Sequence, residues 1–206
     1  MTDELTFHEI ASLQDDLLLP WLDLFETAFP ANEKVLVSHF LALLKIKGKQ
    51  QETTETMLAG VHPAGKLLGL ACYQLIPAVG VAVLWYLAVD PEARDRGLGG
   101  QLYDHVTGLI DKTLYQALLL EVEIPELFKN DEERKRAARR INFYRRHGAY
   151  LLEGVDYLQF IGWHHPPTPM HLMVHPLRVL DAAASFRLAK AYSGDALKQS
   201  GRLKLT

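Results

Sequence analysis

Runs of apolar residues predict a set of β-strands in the first half of the chain. Residues 5–10 (LTFHEI) alternate between apolar and polar side chains, which favours a first strand. Three further apolar runs follow at residues 56–61, 67–76 and 81–89, and only short turns separate them. Because short turns join neighbouring antiparallel strands, we expect these three runs to form an antiparallel meander.

Two amphipathic helices are predicted between the first strand and the meander, because apolar positions there recur with the 3.6-residue helical period. The first helix is expected to start near Ser12, to hold Pro20 in an early turn and to stop at Pro30. In the second, Asn32 is the expected N-cap and Gly48 the expected end.

The second half of the chain predicts a βαβ crossover followed by a further helix. A Gly-rich turn leads into a helix, and residues 117–124 (ALLLEVEI) form the near-continuous aliphatic run of a strand covered on both faces. A charged segment then leads to an amphipathic helix for which Gly148 is a natural C-terminal residue. The apolar face of the crossover helix is expected to hold Leu102, Val106, Leu109 and Ile110.

Two more strands are expected, at residues 157–163 and 170–175, and the tail 177–206 is expected to be helical at first and then loose and polar. The resulting order predicts an α/β chain with a mixed sheet of about seven strands flanked by helices. Strand 81–89 crosses over to strand 117–124, so these two are parallel, and a ligand cleft is expected at their carboxyl ends. We see neither a repeat nor a linker, and predict a single domain over residues 1–206, with a core at 5–176.

Composition narrows the class of protein. The chain has 206 residues, of which 49% are hydrophobic and 23% charged, and this balance is typical of a globular domain. A net charge of −3 calls for no nucleic-acid or anionic-membrane partner. The one cysteine, Cys72, excludes a disulfide framework. The acidic start lacks a signal-peptide pattern and no run nears the ~18 apolar residues of a membrane span, so a cytoplasmic protein is expected.

The crossover turn is the motif that carries chemistry. It runs ARDRGLGG, with arginines at 94 and 96 and glycines at 97, 99 and 100, between a strand and a helix. Glycines let the backbone approach an anion, the helix N-terminus adds a positive dipole, and arginines supply charge-assisted hydrogen bonds. The pattern therefore predicts a phosphate cradle. A Walker A loop would need Gly-Lys-Ser/Thr, which is absent.

The pattern Arg94-x-x-Gly97-x-Gly99, after a strand that ends LAV, resembles the pyrophosphate-binding motif of the GNAT superfamily of acyl-CoA-dependent N-acetyltransferases. The order of elements is similar to that fold over residues 5–176. The resemblance implies transfer of an acetyl group from acetyl-CoA to a primary amine by direct attack in a ternary complex. It also implies that the backbone of the strand end pairs with the pantetheine arm. The implied cofactor-binding residues are Leu87, Ala88, Val89, Arg94, Asp95, Arg96, Gly97, Leu98, Gly99 and Gly100.

A tyrosine supplies a second family feature. Many members carry a tyrosine four residues before the glycine that ends the helix after the crossover, where it protonates the departing thiolate; Tyr144 stands at that position before Gly148. The sequence also departs from the family at three places. Ala137 stands where many relatives have asparagine, and Asp95 where glycine is frequent. The strand before the loop offers Trp85 and Tyr86 where many relatives carry a glutamate as general base.

Glu121 and Glu123 are the candidate groups for the acceptor amine. They share one face of a strand, at its carboxyl end, and two carboxylates there can bind a cationic amine and relay its proton. The alternative is that both pair with arginines of the next helix. We expect the acceptor to be a small-molecule or protein amine, and the tail after Pro176 is a candidate for a homodimer contact.

Two rival functions stay open at this point. One is a non-catalytic acyl-CoA-binding or regulatory module, favoured by the missing strand glutamate. The other is an enzyme that acylates a protein or tRNA through the seven basic residues between 132 and 146, although a solvated helix face explains these residues better. The histidines do not predict a metal site, because His171 and His175 lie about 13 Å apart along a strand, and His164 and His165 bring no carboxylate or cysteine with them.

Overall fold

The alternation of apolar side chains builds a mixed sheet in the computed structural model, which describes residues 4–47, 54–161 and 166–206. Within these residues the sheet has eight strands: β1 (Thr6–Ile10), β2 (Glu55–Val61), β3 (Leu67–Ile76), β4 (Val81–Val89), β5 (Ala117–Glu123), β6 (Tyr150–Gln159), β7 (Thr168–Pro176) and β8 (Leu197–Leu205). Their order in the sheet is β1-β2-β3-β4-β5-β7-β6-β8. The helices are α1 (Leu18–Ala28), α2 (Val37–Lys47), α3 (Leu98–Leu109), α4 (Asp131–Arg146) and α5 (Ala182–Ser193).

The predicted mixed α/β sheet is confirmed, with β4 and β5 as its parallel pair. The prediction of a loose tail is wrong. The last residues form the edge strand β8, which pairs antiparallel with β6. Leu197, Leu203 and Leu205 do alternate with polar residues, but Ser200-Gly201 interrupts the alternation, and a partner strand fixes what local propensity does not.

Both early helices begin later than predicted. Residues before α1 form turns in which the Leu17 N–H donates to Asp15 Oδ1 (3.0 Å), and the helix starts at Leu18. Pro30 is followed by a short 3-10 turn, Ala31–Glu33, so α2 starts only at Val37. The predicted end of α2 at Gly48, like Trp163 in the predicted strand 157–163, lies outside the described residues.

Internal contacts divide the chain into two units. The first comprises Met1–Gln74 and Leu84–Leu109, and the second comprises Leu75–Val83 and Ile110–Thr206. The single-domain interpretation of residues 1–206 stays a prediction.

An aromatic cluster forms the core of the first unit. Trp21, Phe25 and Phe40 are fully buried, and the Trp21 indole N–H donates to the carbonyl of Leu58 at 3.0 Å. Tyr86 of β4 lies edge-on to Phe25 (4.8 Å between ring centroids), and its hydroxyl accepts from the Val35 N–H at 3.0 Å. The helices α1 and α2 thus bury their apolar stripes against one face of the strands.

The second unit holds β5, β6, β7 and β8, with α4 and α5 packed on β5 and β6. Aliphatic residues 117–120 of β5 are all buried, as the continuous run predicts.

The helix α3 belongs to the first unit. Leu109 was expected on its buried face but is half-exposed, whereas Tyr103 is fully buried.

An ion pair fastens α2 to β2 in the first unit. His39 Nε2 lies 3.0 Å from both carboxylate oxygens of Glu55, and the thiol of Cys72 donates to the same carboxylate at 3.3 Å. The hydrogen bond with Glu55 is the largest influence on the pKa of His39 and raises it, against the lowering effect of partial burial.

This pair predicts a pH dependence of stability. Because the pKa of His39 is raised by folding, its stabilisation is complete below the unfolded pKa and is lost as the pH rises through the folded value. The imidazole is nearly half-exposed, so we expect only about 0.5 kcal/mol. Urea unfolding at pH 5.5 and 8.5 should show this loss in the wild type and not in His39→Gln. His62→Gln, in an exposed turn, should retain it; an unchanged dependence in His39→Gln would contradict the assignment.

Candidate active site

The Gly-rich turn of the first unit leads β4 into α3 through two left-handed residues. Asp95 has φ +63° and Gly97 has φ +79°, and α3 begins at the next residue, Leu98. The first N–H groups of an α-helix have no partner inside the helix, and the helix dipole places positive charge at that end. The turn therefore presents the features of an anion-binding site.

A left-handed backbone at position 95 gives a physical reason for the departure from glycine noted in the sequence. Aspartate is one of the few non-glycine residues that adopt this conformation readily, since its short polar side chain can hydrogen-bond locally. Asp95 is exposed, so its carboxylate is solvated.

Arginines lie on the exposed side of the same turn. Arg94 Nε donates to the carbonyl of Val89 at 3.4 Å, and an Arg96 guanidinium N–H donates to the carbonyl of Glu92 at 3.2 Å. These contacts tie both side chains to the backbone at the exit from β4. Ahead of them, Asp90 accepts from the Glu92 N–H (2.9 Å) and pairs with Lys66 (3.1 Å), which fixes the exit from β4.

The two ends of β4 differ in burial. Residues 81–84 are buried, whereas Leu87, Ala88 and Val89 are half-buried. Trp85 donates its indole N–H to Gln74 Oε1 at 3.3 Å, and Tyr86 belongs to the aromatic core. Both residues that stand in the place of a strand glutamate thus serve packing, and they offer no general base.

A pocket of about 570 Å³ opens beside the exit from β4, within the first unit. Its wall along α1 includes Pro20, Asp23 and Leu24, and Asp16, just before that helix, lines it together with Lys66, Asp90 and Pro91. The sequence carried no signal for this pocket, because three segments that are distant along the chain form it, within residues 16–27, 65–67 and 90–91.

Tyr144 lies on the buried face of α4 in the second unit, together with Ala137 and Ile141. The helix ends at Arg146 with His147 as its C-cap, and the next residue, Gly148, has a φ of +87°, the left-handed conformation predicted for a glycine at this position. Burial raises the pKa of Tyr144 to about 12; the nearby Arg140 opposes this shift and Glu123 adds to it. Tyr144 therefore holds its proton at neutral pH.

The two candidate glutamates have different partners. Glu123 forms an ion pair with Arg140 of α4, 2.5 Å between Oε2 and the guanidinium nitrogen, which is the arrangement that the alternative interpretation predicted. Glu121 instead accepts hydrogen bonds from the hydroxyl of Tyr157 and the amide of Gln159, both on β6. The structure therefore separates a charge-paired carboxylate from one held by neutral groups.

Burial raises the pKa of Glu121, and the hydrogen bonds from Tyr157 and Gln159 oppose this shift. Burial raises the pKa of Tyr192 on α5, and the negative charge of Glu121 adds to this shift. Sequence analysis missed Tyr157, Gln159 and Tyr192. Their separation from Glu121 along the chain leaves no local signal, apart from the polar residues at alternate positions of β6.

Other predicted features are accounted for by packing. Cys72 is fully buried, and burial raises the pKa of its thiol, so the more nucleophilic thiolate is disfavoured. His171 has a lowered pKa because of desolvation. Over residues 4–47, 54–161 and 166–206, we find no group of three His, Cys, Asp or Glu side chains placed to hold a metal ion. His164 and His165 lie outside those ranges. No helix of the described chain is long and apolar enough to cross a membrane.

Comparison with known proteins adds a family and a fold. Residues 54–148 match the family model of the acetyltransferase (GNAT) domain, a range that includes the Gly-rich turn and Tyr144. Comparison with curated proteins yields no match.

Solved structures share the fold. A protein assigned to the GNAT family from Bacteroides thetaiotaomicron is 25% identical, with a TM-score of 0.68 over 92% of this chain and 98% of that one. A GNAT family acetyltransferase from Elizabethkingia anophelis with acetyl-CoA bound is 14% identical, TM-score 0.57, over 84% and 99%. The spermidine/spermine N-acetyltransferase of Vibrio cholerae is 13% identical, TM-score 0.58, over 85% and 94%.

The family match over residues 54–148 and the fold shared with GNAT proteins support the GNAT superfamily, and with it acyl transfer in general. The family predicted from Arg94-x-x-Gly97-x-Gly99 and Tyr144 is thereby confirmed.

Proposed function

We propose that this protein transfers an acetyl group from acetyl-CoA to a primary amine by direct attack. The observation that carries the proposal is the turn from β4 into α3, where Asp95 and Gly97 adopt left-handed backbone at a helix N-terminus flanked by Arg94 and Arg96. Such a turn suits the two phosphates of coenzyme A, because backbone N–H groups and guanidinium groups both donate to phosphate oxygens.

The half-buried end of β4 is the proposed guide for the pantetheine arm. The amide groups of an extended arm can pair with a strand backbone, and a strand N–H can stabilise negative charge that develops on the thioester oxygen. Leu87, Ala88 and Val89 are the proposed strand residues. Asp95 and Leu98 belong to the proposed phosphate turn, with Gly97, Gly99 and Gly100.

The acceptor must lose a proton before it attacks, since an alkylammonium has a pKa of about 10.4. Of the two candidate carboxylates, Glu121 is the better base, because its hydrogen-bond partners are neutral and burial raises its pKa. Glu123 is already paired with Arg140. We assign the final proton transfer to Tyr144: the carbon–sulfur bond breaks, the Tyr144 O–H bond breaks, and the sulfur takes the proton.

The rival function is a non-catalytic acyl-CoA-binding module, favoured by the absence of a carboxylate on β4. An assay of thiol release from acetyl-CoA, run with and without a panel of primary amines, separates the two. The panel should contain diamines, which carry a second positive charge, amines that have no second charged group, and lysine-containing peptides. Amine-dependent thiol release with formation of the N-acetyl product supports the enzyme. Coenzyme A binding without any amine-dependent release supports the binding module.

A further inference from the structure

The ion pair between α4 and β5 lies one helical turn before Tyr144. Arg140 and Tyr144 are four residues apart on the same helix, so their side chains are neighbours. The Glu123 carboxylate, 13% exposed, holds the Arg140 guanidinium, 35% exposed, from the β5 side. A shielded pair of this kind interacts more strongly than one in bulk water.

The charges of Arg140 and Glu123 both influence the ionisation of the Tyr144 hydroxyl. The guanidinium of Arg140 favours the tyrosinate form, and the carboxylate of Glu123 disfavours it. When the tyrosine gives up its proton, the negative charge therefore develops beside Arg140.

We propose that Arg140 is a positioning residue for proton transfer by Tyr144: anchored by Glu123, it stabilises the tyrosinate formed as the proton moves to the leaving sulfur. This inference rests on the proposed function. The step is balanced, since the Tyr144 O–H bond breaks, the S–H bond of coenzyme A forms, and water later returns a proton to the tyrosinate. Glu123 then serves to orient Arg140 and does not act as a base.

A different role for Arg140 gives a different kinetic signature. If Arg140 bound the phosphates of coenzyme A, its loss would raise KM for acetyl-CoA. A positioning role lowers kcat and leaves that KM unchanged. It also makes the effect of Arg140 depend on the hydroxyl of Tyr144.

The test compares Arg140→Met, Arg140→Lys and the neighbouring exposed Arg139→Met, each alone and combined with Tyr144→Phe. We expect Arg140→Met to lower kcat about tenfold, Arg140→Lys to recover most of it, and Arg139→Met to match the wild type. In the Tyr144→Phe background, Arg140→Met should cause no further loss. Equal losses in both backgrounds, or a change in KM alone, would overturn the proposal.

Two additions keep the test decisive. Arg140→Met leaves Glu123 unpaired. The double variant Arg140→Met/Glu123→Gln removes both charges, should fold normally, and should lose less kcat than Arg140→Met, because the carboxylate that disfavours the tyrosinate is removed as well. The second is a ¹⁹F NMR titration with difluorotyrosine, with the signal assigned by Tyr144→Phe. The Tyr144 pKa should rise by about one unit in Arg140→Met. An inactive wild type would refute the proposed function, and an unshifted titration would refute the role of Arg140.

Discussion

Replacing Tyr144 with phenylalanine is expected to lower kcat for acetyl transfer by about 10² to 10³, within the range for loss of a general acid. The ring stays in its buried position on α4, so the substitution removes the hydroxyl and little else. Because the pKa of Tyr144 is raised to about 12, the wild-type residue is protonated at neutral pH and can supply the proton. KM for acetyl-CoA should stay unchanged.

The matched control is Tyr150→Phe, at the start of β6, where the side chain is 44% exposed. It removes the same atom from the same unit and should leave kcat unchanged. Steady-state thiol release for the three proteins, with circular dichroism to confirm folding, is the measurement. A Tyr144→Phe enzyme within twofold of the wild type would show that another group protonates the sulfur.

Replacing Gly97 with valine is expected to raise the Kd for coenzyme A by about 100-fold, because a β-branched residue at φ +79° forces the turn into another conformation. No heavy atom lies within 4 Å of an added Cβ, so the effect is backbone strain and not crowding. A displaced turn cannot present the α3 N-terminus and the arginine side chains to the same phosphates.

Gly65 provides a matched control for this strain. It lies in the turn between β2 and β3, with φ +87° and likewise no heavy atom within 4 Å of an added Cβ. Gly65→Val should cost a similar amount of stability, about 1–2 kcal/mol, and leave the Kd for coenzyme A unchanged. Equal Kd values for the two variants would show that the turn at residue 97 does not contact the ligand.

Elements bounded by turn residues could be predicted closely from the sequence. The bounds of β3 and β4 match those expected, because continuous apolar runs end at Gly and Pro turns on both sides. The starts of α1 and α2 could not be predicted from the sequence. Ser12 and Asn32 are suitable cap residues, but the residues around them fold into turns. The strand β8 depends on pairing with β6, which is a tertiary effect.

In the candidate site, too, local features could be predicted from the sequence and contacts between elements could not. The Gly-rich turn and Tyr144 are local patterns, so their spacing alone identified them. The partners of Glu121 and Glu123 come from other elements of the second unit, and only the folded chain shows that Glu123 faces Arg140 while Glu121 faces Tyr157 and Gln159. A strand pattern places both carboxylates on one face, but it cannot tell which one a cation will neutralise.

Isothermal titration of the folded wild-type protein with coenzyme A tests whether the turn from β4 into α3 holds a nucleotide's phosphates. The account predicts saturable heat with a Kd of about 1–100 μM, in the range typical of enzyme substrates. It further predicts that the heat weakens steeply as salt rises, because charged groups carry the interaction. No heat at millimolar coenzyme A, in a sample shown by circular dichroism to be folded, would contradict it.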